Sequence, residues 1–260
     1  MGSDPRRQNR YGGTLFFPSQ RDLAAAFSTE ALCGRILERH QNAIRVRKTH
    51  VAVANLARII EATLKLSNKQ GFHATSLREL AKASGLSMGG LYSYFSGKPM
   101  LLSMILGTVA STVEEILSQP PEGIASDAGA HLRWLIESHI RLTEAMQPWF
   151  VFAYMEAKAF PAAERRIATE SEAMTEDIIA RALRQGVADG VFAISDVSLT
   201  AALIKPLLQD WYVKRAKYRK RGTSIDTYIG AVTNLIIAAI STKGLMHSRQ
   251  PPGSVARKVS

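Results

Sequence analysis

Cysteine is nearly absent from this 260-residue chain. Cys33 stands alone, which rules out an intrachain disulfide framework and suits a reducing cytoplasm. No run of eighteen apolar residues occurs, so neither a transmembrane helix nor a membrane partner is expected. The N-terminus lacks an apolar h-region and a cleavage site, which argues against a secretory signal. The six histidines show no close ligand spacing, so no metal is expected, and no cofactor. Ser-His-Asp motifs, paired-carboxylate sites and Gly-rich phosphate loops are missing, so the chain does not read as an enzyme. Hairpin signatures and long alternating stretches are missing as well, which leaves an all-α fold.

Hydrophobic residues make up 46% of the chain, enough to build a core, and the net charge is +11. That charge is unevenly placed. Residues 1–106 hold 15 Lys and Arg against 6 Asp and Glu, and residues 107–260 hold 18 against 16. A basic first half is what attraction to nucleic-acid phosphate requires, although a solvated basic face looks the same by charge alone.

An independent motif lies in that half. Ser76 is placed to N-cap a short helix, and Glu79 three positions on completes a capping box. Leu77, Leu80 and Ala81 give that helix an inward face, and Gly85 ends it. Ser87 caps a second helix on which Leu91 and Phe95, four apart, share a buried face. Met88, Gly89, Gly90, Tyr92, Ser93 and Tyr94 are then left outward. A short exposed helix with small and hydroxyl-bearing side chains can lie in a major groove.

These residues resemble the TetR family of bacterial transcriptional regulators. The resemblance rests on Gly71-Phe72, Thr75-Ser76-Leu77, Ala81, Gly85-Leu86-Ser87, Leu91-Tyr92-Ser93-Tyr94-Phe95 and Lys98, over roughly residues 48–106, with a looser match beyond. Pro99 departs from the usual Glu, and Gly90 stands where Thr is common. The resemblance implies a three-helix helix-turn-helix DNA-binding domain at 48–106 and a helical effector-binding and dimerisation domain at 107–246. Residues 1–47 form an N-terminal extension and 247–260 a disordered tail. Residues 1–27, including Leu15-Phe16-Phe17, read as a flexible arm. Residues 28–47 read as a helix that extends the first helix, docks on the core or contacts DNA.

The remaining helices are expected at about 48–69, 99–118, 130–146, 148–160, 161 to 186–190, 196–219 with Pro206 inside, and 225–241. Gln119-Pro120-Pro121-Glu122-Gly123 breaks the chain. By resemblance, Tyr92, Tyr94 and Lys98 contact phosphate, and Thr75, Ser76 and Arg78 border a phosphate site at a helix N-terminus. Met88, Gly89, Gly90 and Ser93 face the bases, and the cap Ser87 is counted with them as DNA-binding. None of these groove residues is Arg, Asn or Gln, so DNA shape should carry much of the specificity. Arg45, Arg47 and Lys48 are candidates for a supplementary contact.

The apolar stretch Trp149-Phe150-Val151-Phe152-Ala153-Tyr154-Met155, joined by Trp134, His139 and Trp211, offers a wall for an apolar effector. Taken singly, each of these is better read as core. A looser resemblance to acyl-CoA-responsive regulators offers Arg165 or Arg166 as a phosphate clamp, or equally as surface. Leu199, Ala202, Leu203 and Leu207, with Val232, Leu235, Ile236 and Ala239, suit a homodimer seam. The run 214–221 reads as solvated cations. The resulting expectation is a homodimeric repressor with recognition helices roughly 34 Å apart on a palindromic double-stranded operator, released by an acyl-CoA or fatty acid. A drug-like or aromatic effector, or effector-independent DNA binding, is the alternative.

Overall fold

The computed structural model describes residues 20–46 and 48–242. Twelve α-helices occur among them, and no strand. The expected tail at 247–260, the Leu15-Phe16-Phe17 patch and Arg47 lie outside the described residues.

The extension is less loose than its composition suggests. Helix α1 spans Gln20–Ala26 and α2 spans Thr29–Arg39, with the Ser28 hydroxyl accepting from the Ala31 amide at its start. Leu23 and Phe27, four apart, are buried together with Leu32, Cys33 and Ile36. Gln20 Nε2 donates to the Arg141 carbonyl, and Arg35 pairs with Glu115 at 2.9 Å. Residues 20–39 therefore dock on the core. The Cys33 thiol is pushed upward by burial and by Glu30 and Glu61, which makes it inert at neutral pH.

Helix α3 (Thr49–Gln70) buries Leu56, Ile59, Ile60, Thr63 and Leu64, and stops at Gly71, whose φ of +85° favours glycine. Helices α4 (Leu77–Ser84) and α5 (Met88–Leu91) follow, then α6 (Lys98–Leu117) with Pro99 in its first turn. By length and apolarity α6 could cross a membrane. It is instead the central strut, burying Leu101, Leu102, Met104, Ile105 and Leu106 among its neighbours.

The body adds α7 (Ala128–Ala145), α8 (Gln147–Met155), a 3-10 turn at Ala157–Ala159, α9 (Ala162–Ala188), α10 (Val197–Val213), α11 (Arg215–Lys220) and α12 (Ile225–Ile240). Helix α7 is buried on two sides. Ala128, Leu132, Ile136 and Ile140 face α10 and α12, while Trp134, Leu135 and Leu142 join the core that continues into α3 and α6. The expected helix at 196–219 divides at Lys214. Asp210 accepts there from Lys217 (2.8 Å), Tyr218 and Lys214 (3.2 Å), and these bonds outweigh burial to hold its carboxyl at about 2. Arg215 pairs with Glu144. Three cations of the run 214–221 are therefore ion-paired rather than freely solvated.

The junction of α9 with α12 depends on one glycine. The Phe192 ring lies where a side chain at Gly186 would be, so that a Cβ there would approach Cδ2 of Phe192 to 2.0 Å. Phe192 also bridges to Ser241, and Ala193 donates to the Ile240 carbonyl. Replacing Gly186 with Ala should overpack this contact and lower stability by about 1–3 kcal/mol. Chemical denaturation of the two proteins would measure it, and an unchanged midpoint would refute the contact.

Candidate nucleic-acid interface and effector cavity

The helix-turn-helix is built by local capping. The Ser76 hydroxyl accepts from the Glu79 amide (3.2 Å), and Glu79 Oε2 accepts from the Ser76 amide (2.8 Å), which completes the capping box. Gly85 turns the chain in the left-handed region at φ +68°. The Ser87 hydroxyl accepts from the Gly90 amide at 3.0 Å. Helix α5 is then only four residues long, and Tyr92 is its C-cap.

That short helix sorts the expected DNA contacts. Ser76, Arg78, Ser87, Gly89 and Tyr92 are exposed, and Met88, Gly90 and Ser93 are half-buried. A Cβ at Gly89 would meet open space, which leaves a bare strip of backbone on the outer face. Arg45 is brought beside this strip, because its backbone N–H donates to the Ser93 carbonyl at 2.9 Å while its side chain is exposed. Lys48 is exposed at the start of α3. Arg58, absent from the sequence reading, extends from α3 toward the Gly85 turn.

Three expected contacts need correction. Tyr94 is buried at 2% exposure, and its hydroxyl has no hydrogen-bond partner among the described residues. It lies three residues after Leu91, so it shares the inner face that Phe95 reaches at four. Thr75 is buried too, with Oγ1 donating to the Gly71 carbonyl at 2.9 Å. Lys98 turns inward: its Nζ donates to the carbonyls of Phe72 (2.6 Å), His73 (2.9 Å) and Thr75 (2.7 Å) and sits 4.7 Å over the Phe72 ring. An ammonium has three protons, and all three are matched, so Lys98 is a brace for the turn and not a phosphate clamp.

In the body, α6 to α10 enclose a cavity of about 510 Å³. Leu106, Val109, Val113, Phe150 and Ala153 supply apolar wall, and Tyr154, Met155, His139 and Lys205 also line it. A second cavity of about 580 Å³ lies between α2, α3 and α8 and takes Phe152, Met155 and Glu156. The tryptophans line neither, which corrects their expected place. Trp134, Trp149 and Trp211 are buried in the core, and Trp211 Nε1 donates to Glu144 at 2.8 Å. Arg165 and Arg166 are exposed, the latter 3.5 Å from Glu170. No cluster of potential metal ligands occurs among the described residues.

Comparison with known proteins agrees with this geometry. Residues 59–104 match the family described as bacterial regulatory proteins, tetR family, and residues 125–215 match a tetracyclin repressor-like C-terminal domain. The chain belongs to the TetR family. It is 24% identical to the HTH-type transcriptional regulator HbdR of Aromatoleum sp. strain CIB over 75% of this chain and 85% of that protein. A TetR-family regulatory protein from Rhodococcus RHA1 shares the fold with a TM-score of 0.64 at 18% identity, over 72% of this chain and 97% of that one. FadR of Bacillus subtilis, solved in complex with stearoyl-CoA, shares it at 0.54 and 20%, over 70% and 98%. TetR regulators are non-enzymatic, bind DNA operators, dimerise and take small-molecule effectors.

In this TetR-family chain a charged hydrogen bond joins the head to the body beside the core they share. Glu156, just past α8, accepts from the Phe72 amide at 2.8 Å, and the Phe72 ring meets Phe152 edge-on at 5.5 Å. Sequence spacing gives no hint of a contact 84 residues apart. The Phe72 carbonyl is the one held by Lys98. Hydrogen bonds to charged groups contribute more than neutral ones. Lys98→Met should therefore lower the stability of the protein by about 2 kcal/mol, read by thermal or urea unfolding. Unchanged stability with weakened DNA binding would restore the phosphate role.

Proposed function

We propose that this protein is a homodimeric repressor released from a palindromic operator by a small molecule with a long apolar part, such as the acyl chain of a fatty acid or acyl-CoA. The observation that carries this reading is the position of α8. One side of it lines the 510 Å³ cavity, and its end holds the head through Glu156 and Phe72. An effector that displaces Tyr154 and Met155 would move that end, favouring a conformation with different operator affinity. The volume suits a small-molecule site, and the FadR neighbour is one crystallised with stearoyl-CoA.

On the DNA side, Tyr92, Arg78 and Arg45 are the phosphate contacts, aided by the α4 N-terminus at Ser76. Ser87, Met88, Gly89, Gly90 and Ser93 face the base edges, and their small size leaves much of the specificity to DNA shape. On the dimer side, Leu199, Leu203 and Leu235 project from α10 and α12 at 55%, 63% and 60% exposure. Val232 and Ile236, by contrast, are buried within the protomer. A contiguous exposed apolar face of this kind suits an isologous interface.

Two measurements test the reading. Fluorescence anisotropy on the protein's own promoter region should show sequence-dependent retention at moderate salt, lost on adding a long-chain fatty acid or its CoA ester. No retention would sink it. Arg78→Ala and Arg45→Ala should each reduce the slope of log affinity against log salt by about one, whereas an unaltered slope would remove that residue from the interface.

A further inference from the structure

The effector cavity buries one ammonium that forms no ion pair among the described residues, while the exposed Lys158 and Glu172 also line it. Lys205 projects from the middle of α10 and His139 from α7, with Nζ and Nε2 3.3 Å apart. Both line the cavity and both are buried, at 6% and 1% exposure. The other lining residues at this depth are apolar or uncharged. Leu106, Val109 and Val113 come from α6, Phe150 from α8 and Thr175 from α9.

Of the three ammonium protons on Lys205, one is directed at a ring nitrogen that carries no charge. Burial, reinforced by the lysine itself, holds His139 well below its ordinary value and so neutral. With Nε2 accepting, the ring proton stays on Nδ1, a buried atom without a partner among the described residues. Among the described residues no carboxylate forms an ion pair with Lys205. Glu172, which lines the same cavity, and Glu176 attract it without forming an ion pair, and Glu172 already accepts from Gln209 Nε2 at 3.0 Å. Burial pushes Lys205 down to about 8, so at pH 7 it is still mostly an ammonium.

A buried charge without its partner is unfavourable. The apolar wall and the lone ammonium together describe the ligand that would relieve it. We infer that the effector is a carboxylic acid with an apolar tail, its carboxylate paired with Lys205 beside His139 and its chain lying along Leu106, Val109, Val113 and Phe150. This rests on the reading of the cavity as the effector site, and narrows it. A CoA thioester presents only a neutral carbonyl at the corresponding atom, so the free acid and not the thioester is the ligand matched to this pocket.

The test is direct binding to the full chain, by calorimetry at pH 7, of dodecanoate, methyl dodecanoate, dodecanol and dodecanoyl-CoA. The acid should bind roughly 30-fold tighter than the methyl ester, the expected effect of losing one buried charged partner. Lys205→Met should abolish that preference while leaving ester affinity unchanged, and it should fold, since it removes an unpaired buried charge. His139→Gln retains a side-chain acceptor for the ammonium and should keep most of the preference, which separates charge pairing from general damage to the pocket. Ester or thioester binding as tight as the acid's, or a preference that survives in Lys205→Met, overturns the carboxylate anchor and leaves the effector reading intact. If none of the four ligands binds, both fall.

Discussion

The peptide group of Phe72 is gripped at both ends by charged side chains from other parts of the chain. Its N–H is held by Glu156, from the end of α8, and its C=O by Lys98, from the start of α6. The need for this follows from the sequence just before it. Gly71 ends α3 in a left-handed conformation, and α4 does not begin until Leu77. The intervening backbone has few partners of its own, and unpaired polar groups there would be unfavourable. One ammonium satisfies three of its carbonyls at once, and the Phe72 ring lies beneath it. The recognition elements α4 and α5 therefore follow a turn that Lys98 of α6 and Glu156 at the end of α8 hold in place.

This arrangement explains which parts of the site were legible in the sequence. Caps were, because they are settled within four residues: Ser76 with Glu79, Ser87, and the glycine stop at 85 all appear where spacing puts them. Contacts made at long range were not. Lys98 has the charge and place of a phosphate clamp, yet its partners lie 23 to 26 residues earlier. The i+4 spacing of Leu91 and Phe95 leaves Tyr94 outward, but i+3 from Leu91 lies on the same inner face, and Tyr94 is buried there. Helix α1 escaped notice because seven residues with one buried leucine give almost no periodic signal.

The cavity wall was legible only in part: His139, Tyr154 and Met155 line it and the tryptophans do not. Tryptophans suggest a ligand wall by size, but large aromatic surfaces are what a core buries first, and all three tryptophans are there. The informative residue was a lysine that breaks an apolar run, Ala201-Ala202-Leu203-Ile204-Lys205-Pro206-Leu207-Leu208. Unlike the buried Arg141, which pairs with Glu137 and Asp226, this cation forms no ion pair among the described residues.

Lys205 and Glu156 tie the body's chemistry to the head's geometry on the proposed reading. An unpaired Lys205 makes the empty body less stable than it could be, so any ligand that pairs with it adds its binding free energy to the liganded conformation. Helix α8 lies between two voids: the effector cavity on one side and, across Val151, Phe152 and Met155, the second cavity against α3 on the other. A close-packed helix transmits strain to everything around it, whereas one with free volume on both faces can shift as a unit. The buried Trp149, Phe150 and Phe152 anchor the helix in the core, and the bond from Glu156 to the Phe72 amide links its end to the DNA-reading turn.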